Sequence, residues 1–325
     1  LTKATLPDSV TSIGDYALFA GGYNGTISAV VDAYNTSLTR STPTSLGEVR
    51  QHLTGGTSAN ACMFIGGALN SSATSLSKYG DFYNKSLTRT YTSCLSKGTA
   101  NMGSARVGDY AVFAGGRYGA ASAYAGVRAF NGTTADATPD ALSTARWNLA
   151  GASVGNYALF GGGTNGSSSA VVETYNKSFT KGTATNLGAA RSMLAATTIG
   201  NYALFAGGHV SSTTYSTVVD AYNSSLTRST PTALSVARGD IAATTVGKYA
   251  VFAGGDSYAN PGRFATVDVY DEKLTRTTNL KLSIPKWLHA ATTVGNYALF
   301  GGGMHEATSG TYSYSNVVEA FVAES

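Results

Sequence analysis

Short apolar segments of four or five residues, separated by polar turns, run along the whole chain. One of them, Tyr-Ala-Leu-Phe-Ala-Gly-Gly at residues 16–22, returns in similar form at residues 61–67, 110–116, 157–163, 202–208, 249–255 and 297–303. The second glycine of each pair stands at position 22, 67, 116, 163, 208, 255 or 303, so the repeat period is 45 to 49 residues. No stretch shows a sustained 3.6-residue apolar period, so the segments predict strands and not helices.

Each unit predicts four short antiparallel strands. The segment that ends in the glycine pair is the second strand, and a valine-rich segment that ends in Tyr or Phe is the third. A Ser-Leu-Thr-Arg-like segment is the fourth, and an Ala-Ala-Thr-Thr-Val-like segment begins the next unit. Gly-Asn, Gly-Asp and Gly-Lys dipeptides suit the hairpin between the first two strands, where positive φ is needed. Seven such units predict an all-β fold, a closed seven-bladed β-propeller that occupies residues 1–325 as a single domain.

The two ends of the chain predict how the ring closes. After Phe321 the last unit stops before its fourth strand, whereas the chain begins with Leu-Thr-Lys-Ala-Thr, which matches the Leu-Thr-Arg-Ser-Thr of a fourth strand. We therefore expect residues 1–6 to supply the outer strand of blade seven, so that the N-terminal strand completes the last blade. This Velcro closure would leave no open interface between blades.

The repeat resembles a known family. A glycine pair that ends an apolar strand, followed by a valine-rich strand that closes on Tyr, is similar to the kelch repeat, and the likeness recurs seven times over the whole chain. The array is divergent, because the kelch signature has a Trp in the fourth strand. Leu or Phe stands there in this chain: Leu38, Leu87, Phe179, Leu226 and Leu274.

Composition and charge narrow the possible partners. Only 12% of the residues are charged, the net charge is +4, and the basic residues are dispersed, so we expect no nucleic-acid partner. No apolar run of about 18 residues is present, so we expect no membrane insertion. Cys62 and Cys94 fall on strands of one unit that are not neighbours, which predicts two free thiols. We expect a monomeric domain of a larger chain, with an extracellular, cell-surface or phage-particle location favoured.

Opposite charges recur eight residues apart across the third hairpin. Arg128 and Asp136 have this spacing with the signs exchanged, and Lys3 stands where the partner of Glu319 is expected. Such pairs predict cross-strand contacts, although solvated outer-edge charges are the alternative. The other pairs are Asp32 with Arg40, Asp81 with Arg89, Glu173 with Lys181, Asp220 with Arg228 and Asp268 with Arg276.

Two connections differ most between units: the stretch after each glycine pair, and the stretch between a fourth strand and the next first strand. In this strand order both open on the same face of the disc, and loops on a rigid scaffold commonly carry binding sites. Both tryptophans and all four histidines fall in them. The alternative is drift in unconstrained loops. The predicted ligand-binding residues are Tyr23, His52, Arg117, Trp147, Asn148, His209, Asp240, Asp256, Trp287 and His305.

A basic residue precedes the second variable connection in five units. In kelch interaction domains such residues line the rim of the central opening, so the resemblance implies a ring of positive charge that would bind acidic groups. The alternative is that each side chain caps carbonyls of a neighbouring loop. We therefore add four arginines to the predicted ligand-binding set: Arg50, Arg146, Arg191 and Arg238, with Lys286 at the same position in the seventh unit.

The favoured function is a non-enzymatic recognition module that binds a protein or a carbohydrate on the variable face. A structural repeat domain of a larger surface or phage assembly is the alternative, and a kelch-type oxidase or glycan-active enzyme is the second alternative. No nucleophile stands beside a matched base, so no catalytic residues are predicted. The histidines come from blades two, five and seven without ligand-like spacing, so neither a metal site nor a cofactor is predicted.

Overall fold

The computed structural model describes residues 1–6, 9–132, 135–258, 262–308 and 310–323, with the backbone alone at 135, 136 and 308. Every regular element in these ranges is a strand, and they form seven blades arranged in a ring. The prediction of an all-β, seven-bladed β-propeller is confirmed. The described ranges hold no helix long and apolar enough to span a membrane.

The strands follow the repeat in chain order. Blade one contains β1 (Ser9–Ile13), β2 (Tyr16–Ala20), β3 (Val31–Asn35) and β4 (Arg40–Ser41). Blade two contains β5 (Thr54–Thr57), β6 (Cys62–Ile65), β7 (Tyr79–Tyr83) and β8 (Arg89–Ser93). Blade three contains β9 (Gly103–Val107), β10 (Tyr110–Ala114), a small hairpin of β11 (Arg117–Tyr118) and β12 (Ser122–Ala123), then β13 (Val127–Phe130) and β14 (Ala135–Ala137).

The remaining blades keep this order. Blade four contains β15 (Ala150–Val154), β16 (Tyr157–Gly161), β17 (Val172–Asn176) and β18 (Lys181–Thr183). Blade five contains β19 (Ala195–Ile199), β20 (Tyr202–Ala206), β21 (Val219–Asn223) and β22 (Arg228–Ser229). Blade six contains β23 (Ala242–Val246), β24 (Tyr249–Ala253), β25 (Thr266–Asp271) and β26 (Arg276–Lys281). Blade seven contains β27 (Ala290–Val294), β28 (Tyr297–Gly301), a hairpin of β29 (Met304–Thr308) and β30 (Thr311–Tyr314), then β31 (Val318–Val322).

The second strand of each blade forms the centre of the core. Strands β2, β6, β10, β16, β20, β24 and β28 are buried along almost their whole length, because neighbouring blades cover both of their faces. Each buried Phe of these strands contributes about 1.5–3 kcal/mol to folding. Seven apolar clusters result, one between each pair of adjacent blades. The cluster that joins blades seven and one contains Phe19 and Leu299, and it closes the ring.

The innermost strands line the axis of the ring, and their threonines bond from blade to blade. Thr198 donates its hydroxyl to the Ser153 carbonyl at 2.7 Å, and Thr293 donates to Thr245 at 2.5 Å. Thr57 makes the same bond to Ser12 at 2.8 Å. These hydroxyls satisfy backbone carbonyls of the neighbouring blade's innermost strand and so join the blades around the axis.

The N-terminal segment closes the ring in a different register from the expected one. The Thr5 amide donates to Ser315 at 3.2 Å, and Gly303 donates to the Thr5 carbonyl at 3.0 Å. Arg50 makes the same pair of bonds with Ser28 and Gly22. Residues 1–6 thus form the connection into blade one and are not a fourth strand. Blade seven has three strands in the described residues, and an outer strand from residues 1–6 is not confirmed.

The predicted pairs with eight-residue spacing are in contact in five blades. The distances are 3.9 Å for Arg40–Asp32, 3.3 Å for Arg89–Asp81, 3.9 Å for Lys181–Glu173, 3.3 Å for Arg228–Asp220 and 3.8 Å for Arg276–Asp268. The expected Lys3–Glu319 contact is wrong, since Glu319 pairs with Lys286 at 2.9 Å. The Arg128–Asp136 pair lies outside the described residues, because the Asp136 side chain is not described.

Both cysteines are free thiols, as predicted. Cys62 is buried in β6 and Cys94 is half-buried after β8. Burial raises the pKa of each thiol to about 12, so both stay protonated at neutral pH. A protonated thiol is a poor nucleophile and a poor metal ligand.

Candidate functional site

The two variable connections lie side by side on one face of the disc. In every blade the residue after the glycine pair forms a backbone bridge with a residue of the second variable connection. That residue directly follows the position that is basic in five of the blades. The seven bridges are Leu6–Tyr23, Gln51–Ala68, Ala100–Arg117, Trp147–Thr164, Ser192–His209, Gly239–Asp256 and Trp287–Met304. The variable face is therefore a continuous surface held by the strands below it.

A ring of residues with positive φ surrounds the central opening on this face. Their φ values are 49° to 56°, in the left-handed region that L-residues rarely adopt. Backbone hydrogen bonds link four of these residues in sequence. The Asn101 amide donates to the His52 carbonyl at 3.2 Å, the Asn148 amide to the Asn101 carbonyl at 3.1 Å, and the Met193 amide to the Asn148 carbonyl at 3.0 Å. The six members are His52, Asn101, Asn148, Met193, Asp240 and Leu288.

These side chains line a cavity of about 460 Å³ at the mouth of the channel. Positive φ also recurs at Leu38, Leu87, Phe179, Leu226 and Leu274 on the opposite face, so this backbone conformation belongs to the repeat. The two sets differ in their side chains. Leu or Phe is kept on the opposite face, whereas His, Asn, Met, Asp and Leu alternate around the opening. Predicted site residues His52, Asn148 and Asp240 thus meet at one cavity.

The four predicted arginines are not part of this face. Arg50, Arg146, Arg191 and Arg238 are 0% exposed, and each binds the acidic residue of β7, β17, β21 or β25. Arg146 lies 2.7 Å from Glu173, and Arg238 lies 2.8 Å from Asp268. The prediction of a ring of positive charge is wrong, because each guanidinium binds a buried carboxylate and carbonyls of its own blade.

Arg117 is also occupied by the loops around it. Its side chain donates to Asn101 at 3.0 Å, to the Ala73 carbonyl at 3.1 Å and to two carbonyls of its own hairpin at 3.3 Å. These bonds join the loops of blades two and three. They leave the guanidinium little capacity for a ligand.

The predicted aromatic residues and His305 divide between surface and interior. Trp287 is only 6% exposed, so it is not the exposed aromatic that we expected. Its ring contacts the Arg263 guanidinium, 4.3 Å from the ring centre, and the Tyr312 ring, whose centre is 5.4 Å away. Trp147, Tyr23 and His305 are half-buried, and each lies in a different blade.

One group of predicted residues does come together, between blades five and six. His209 Nε2 lies 3.3 Å from Asp240 Oδ2, and one ligand atom from each of His209, Asp240 and Asp256 lies within 4.8 Å of the other two. The Tyr215 ring packs 4.4 Å from the His209 ring, and Tyr258 lies 6.3 Å from Tyr215 and is 72% exposed. We call these five residues the acidic–aromatic patch.

The electrostatics of the patch are unusual for this chain. Burial and the neighbouring Asp240 charge raise the pKa of Asp256 to about 6, although Arg263 and His209 act in the opposite direction. Burial lowers the pKa of His209, but the hydrogen bond and charge of Asp240, with the charge of Asp256, outweigh it and raise that pKa. A half-buried group with raised pKa beside a second carboxylate is typical of functional sites.

No protein-family model matches this chain, and no curated protein sequence is similar to it. The candidate site therefore rests on the arrangement of its residues. Two members of the patch, Tyr215 and Tyr258, and the neighbouring Arg263 were not predicted from the sequence. Tyr215 and Arg263 form backbone bridges with His209 and Asp256 in the same loops, and the length of those loops was the available signal.

Proposed function

We propose that this protein is a non-enzymatic recognition module of the kelch type that binds a carbohydrate through the acidic–aromatic patch. A seven-bladed propeller fits a binding or a structural module. The observation that favours binding is the exposed Tyr258 beside Tyr215, in a patch whose Asp240 lines the central cavity. Function is thus proposed from the side chains of the site and not from the fold alone.

The side-chain chemistry favours a carbohydrate over a protein partner. A sugar presents apolar C–H faces that pack on aromatic rings and hydroxyls that donate to carboxylates, and the patch offers both. A protein partner commonly needs a larger apolar centre with aromatic anchors, whereas Trp287 is buried inside the loops. Capture of a protein in place of a glycan is the competing outcome of the test below.

A glycan array and a pull-down with purified protein test this function. Tyr258→Ala and Asp240→Asn should each reduce glycan capture at least about tenfold, since a ligand anchor typically costs more than 1–2 kcal/mol on truncation. Tyr249→Ala is the matched control, because Tyr249 is an exposed tyrosine at the start of β24 in a hairpin on the opposite face. Its capture should equal that of the parent.

Three results would reject the proposal. A parent protein that captures no glycan but binds a protein would favour a protein-recognition module. Capture of neither class would favour the structural repeat domain. Glycan capture that survives both patch variants would place the ligand elsewhere on the variable face.

A further inference from the structure

We propose that His209, Asp240 and Asp256 form a binding site for one divalent transition-metal ion, for which zinc is the best match. The three side chains come from three connections, after the glycine pair of blade five, before blade six and after the glycine pair of blade six. The metal proposal does not require glycan binding, although Asp240 belongs to both sites.

The distances are those of a metal cage. Zinc binds imidazole nitrogen and carboxylate oxygen at about 2.0–2.2 Å, which places neighbouring tetrahedral ligand atoms about 3.4 Å apart. His209 Nε2 and Asp240 Oδ2 are already 3.3 Å apart, and the Asp256 oxygen completes the triangle within 4.8 Å. The site requires only that side-chain rotation close the remaining gap between three atoms that already lie within 4.8 Å of one another.

The carboxylates of the patch lack the buried Arg or Lys partner that the acids of blades two, four, five, six and seven have. Asp256 Oδ1 is buried and accepts no hydrogen bond. The neighbouring cation, Arg263, stays 3.9 Å from Asp256 Oδ2, because its guanidinium stacks on Trp287. Two adjacent carboxylates with one distant guanidinium have an unmet need for a cation, and a bound metal ion would supply it.

The backbone around His209 holds its ring in place for this role. A Cβ atom on Gly239 would lie 2.3 Å from His209 Cδ2, so only glycine leaves space for the ring. The Ser192–His209 and Gly239–Asp256 bridges fix the backbones that carry two of the ligands. Two of the three ligands are therefore carried by backbone segments that are each hydrogen-bonded to a neighbouring backbone segment.

The ligand set selects among metals. One imidazole with two carboxylates suits zinc, whereas calcium and magnesium prefer oxygen ligands alone. The thiols do not compete, since burial keeps both protonated. Three protein ligands leave a fourth position open toward solvent.

Isothermal titration of EDTA-stripped full-length protein with zinc chloride at pH 7.5 tests the site. The parent should bind one ion per chain and should not bind calcium in the same concentration range. His209→Gln, Asp240→Asn and Asp256→Asn should each weaken this binding by at least about tenfold, since even indirect changes around metal ligands cost 10–100-fold. Thermal unfolding in EDTA should show that each variant is folded.

Matched controls separate the cage from weak zinc binding at the surface. His305→Gln removes a half-buried histidine of blade seven, and Asp15→Asn removes an exposed carboxylate of a hairpin on the opposite face. Both should bind zinc as the parent does. Gly239→Ala should fold but lose affinity, because the new methyl group displaces the His209 ring.

The proposal fails if the parent shows no one-to-one site, or if the ligand variants bind as tightly as the controls. Equal zinc and calcium binding would also overturn it, because that pattern indicates a charge effect without a cage.

Discussion

Two regions of this protein hold carboxylates away from solvent, and the two differ in the partners that they provide for the negative charge. In blade five the buried Asp220 receives Arg191, the outer Arg228 at 3.3 Å and the Gly188 amide at 3.0 Å. One blade further, Asp256 stands beside a second carboxylate and has one buried oxygen without any donor. The first carboxylate is fully compensated within the fold, and the second is not.

The difference separates structural charge from functional charge. The compensated acids recur in blades two, four, five, six and seven, each with a buried Arg or Lys. Such an ion pair needs several hydrogen bonds to offset the cost of removing its charges from water. The patch carboxylates have no such set of partners, so their placement is unfavourable unless a ligand adds charge or donors.

The largest effect is expected from removal of an inner arginine. Arg191→Met should lower the free energy of unfolding by about 3–5 kcal/mol, because it leaves Asp220 as a buried charge without its main partner. Urea unfolding followed by tryptophan fluorescence measures this value. A loss below about 1 kcal/mol would mean that the buried pair is not essential to the blade.

A smaller effect of opposite sign is expected at the patch. In EDTA, Asp256→Asn should raise the free energy of unfolding at pH 8 by about 1–2 kcal/mol, since it removes a carboxylate whose pKa is raised to about 6. The amide can also donate to Asp240, as the protonated acid does.

The pH dependence of that gain follows from the direction of the shift. Near pH 4 the Asp256 carboxyl is largely protonated in the folded chain, so parent and variant should have similar stability. As the pH rises from about 4 to 6, the carboxyl is ionised in the unfolded parent, where its pKa is 3.8, but stays protonated in the folded parent, whose stability relative to the variant therefore falls. Above about pH 6 both forms are ionised and the difference stays constant. Urea unfolding between pH 4.5 and 8 measures the difference. A variant less stable than the parent at pH 8 would contradict a strained carboxylate pair.

The smallest effect is expected from the outer cation of the same structural acid. Arg228→Met should cost about 0–1 kcal/mol, because its side chain is 27% exposed and Arg191 still neutralises Asp220. Comparison with Arg191→Met in the same urea series isolates the contribution of burial. Equal losses in the two variants would show that burial does not decide the strength of these contacts.

Much of the architecture was predictable because it is local and repeated. Strand number, blade number and the contacts eight residues apart lie within single hairpins, where spacing determines distance. The buried partner of each acid also left a signal. In blade three the acid is replaced by Arg128, and Thr99 stands where blades two, four, five, six and seven have Arg or Lys. The joint loss of the acid and its cation in blade three indicates contact between them, although we expected the arginines to line the rim or to cap carbonyls of a neighbouring loop.

The register of closure was harder to predict. The residues Leu-Thr-Lys-Ala-Thr match the sequence of a fourth strand. The backbone hydrogen bonds of Thr5 are nevertheless those of Arg50, which lies in the connection after the fourth strand of blade one. Small polar residues alternate in both segments, so composition alone does not distinguish them.

By itself the sequence determined the propeller, its seven units, the face on which variation collects and the free thiols. Only the tertiary structure decided that Arg191 turns inward, that Trp287 is covered by Arg263, and that His209 meets Asp240 and Asp256. The physical reason is that the repeat spacing defines contacts within a blade, whereas these contacts join side chains of different loops. Their positions depend on how adjacent blades pack, and the spacing of residues along the chain does not contain that information.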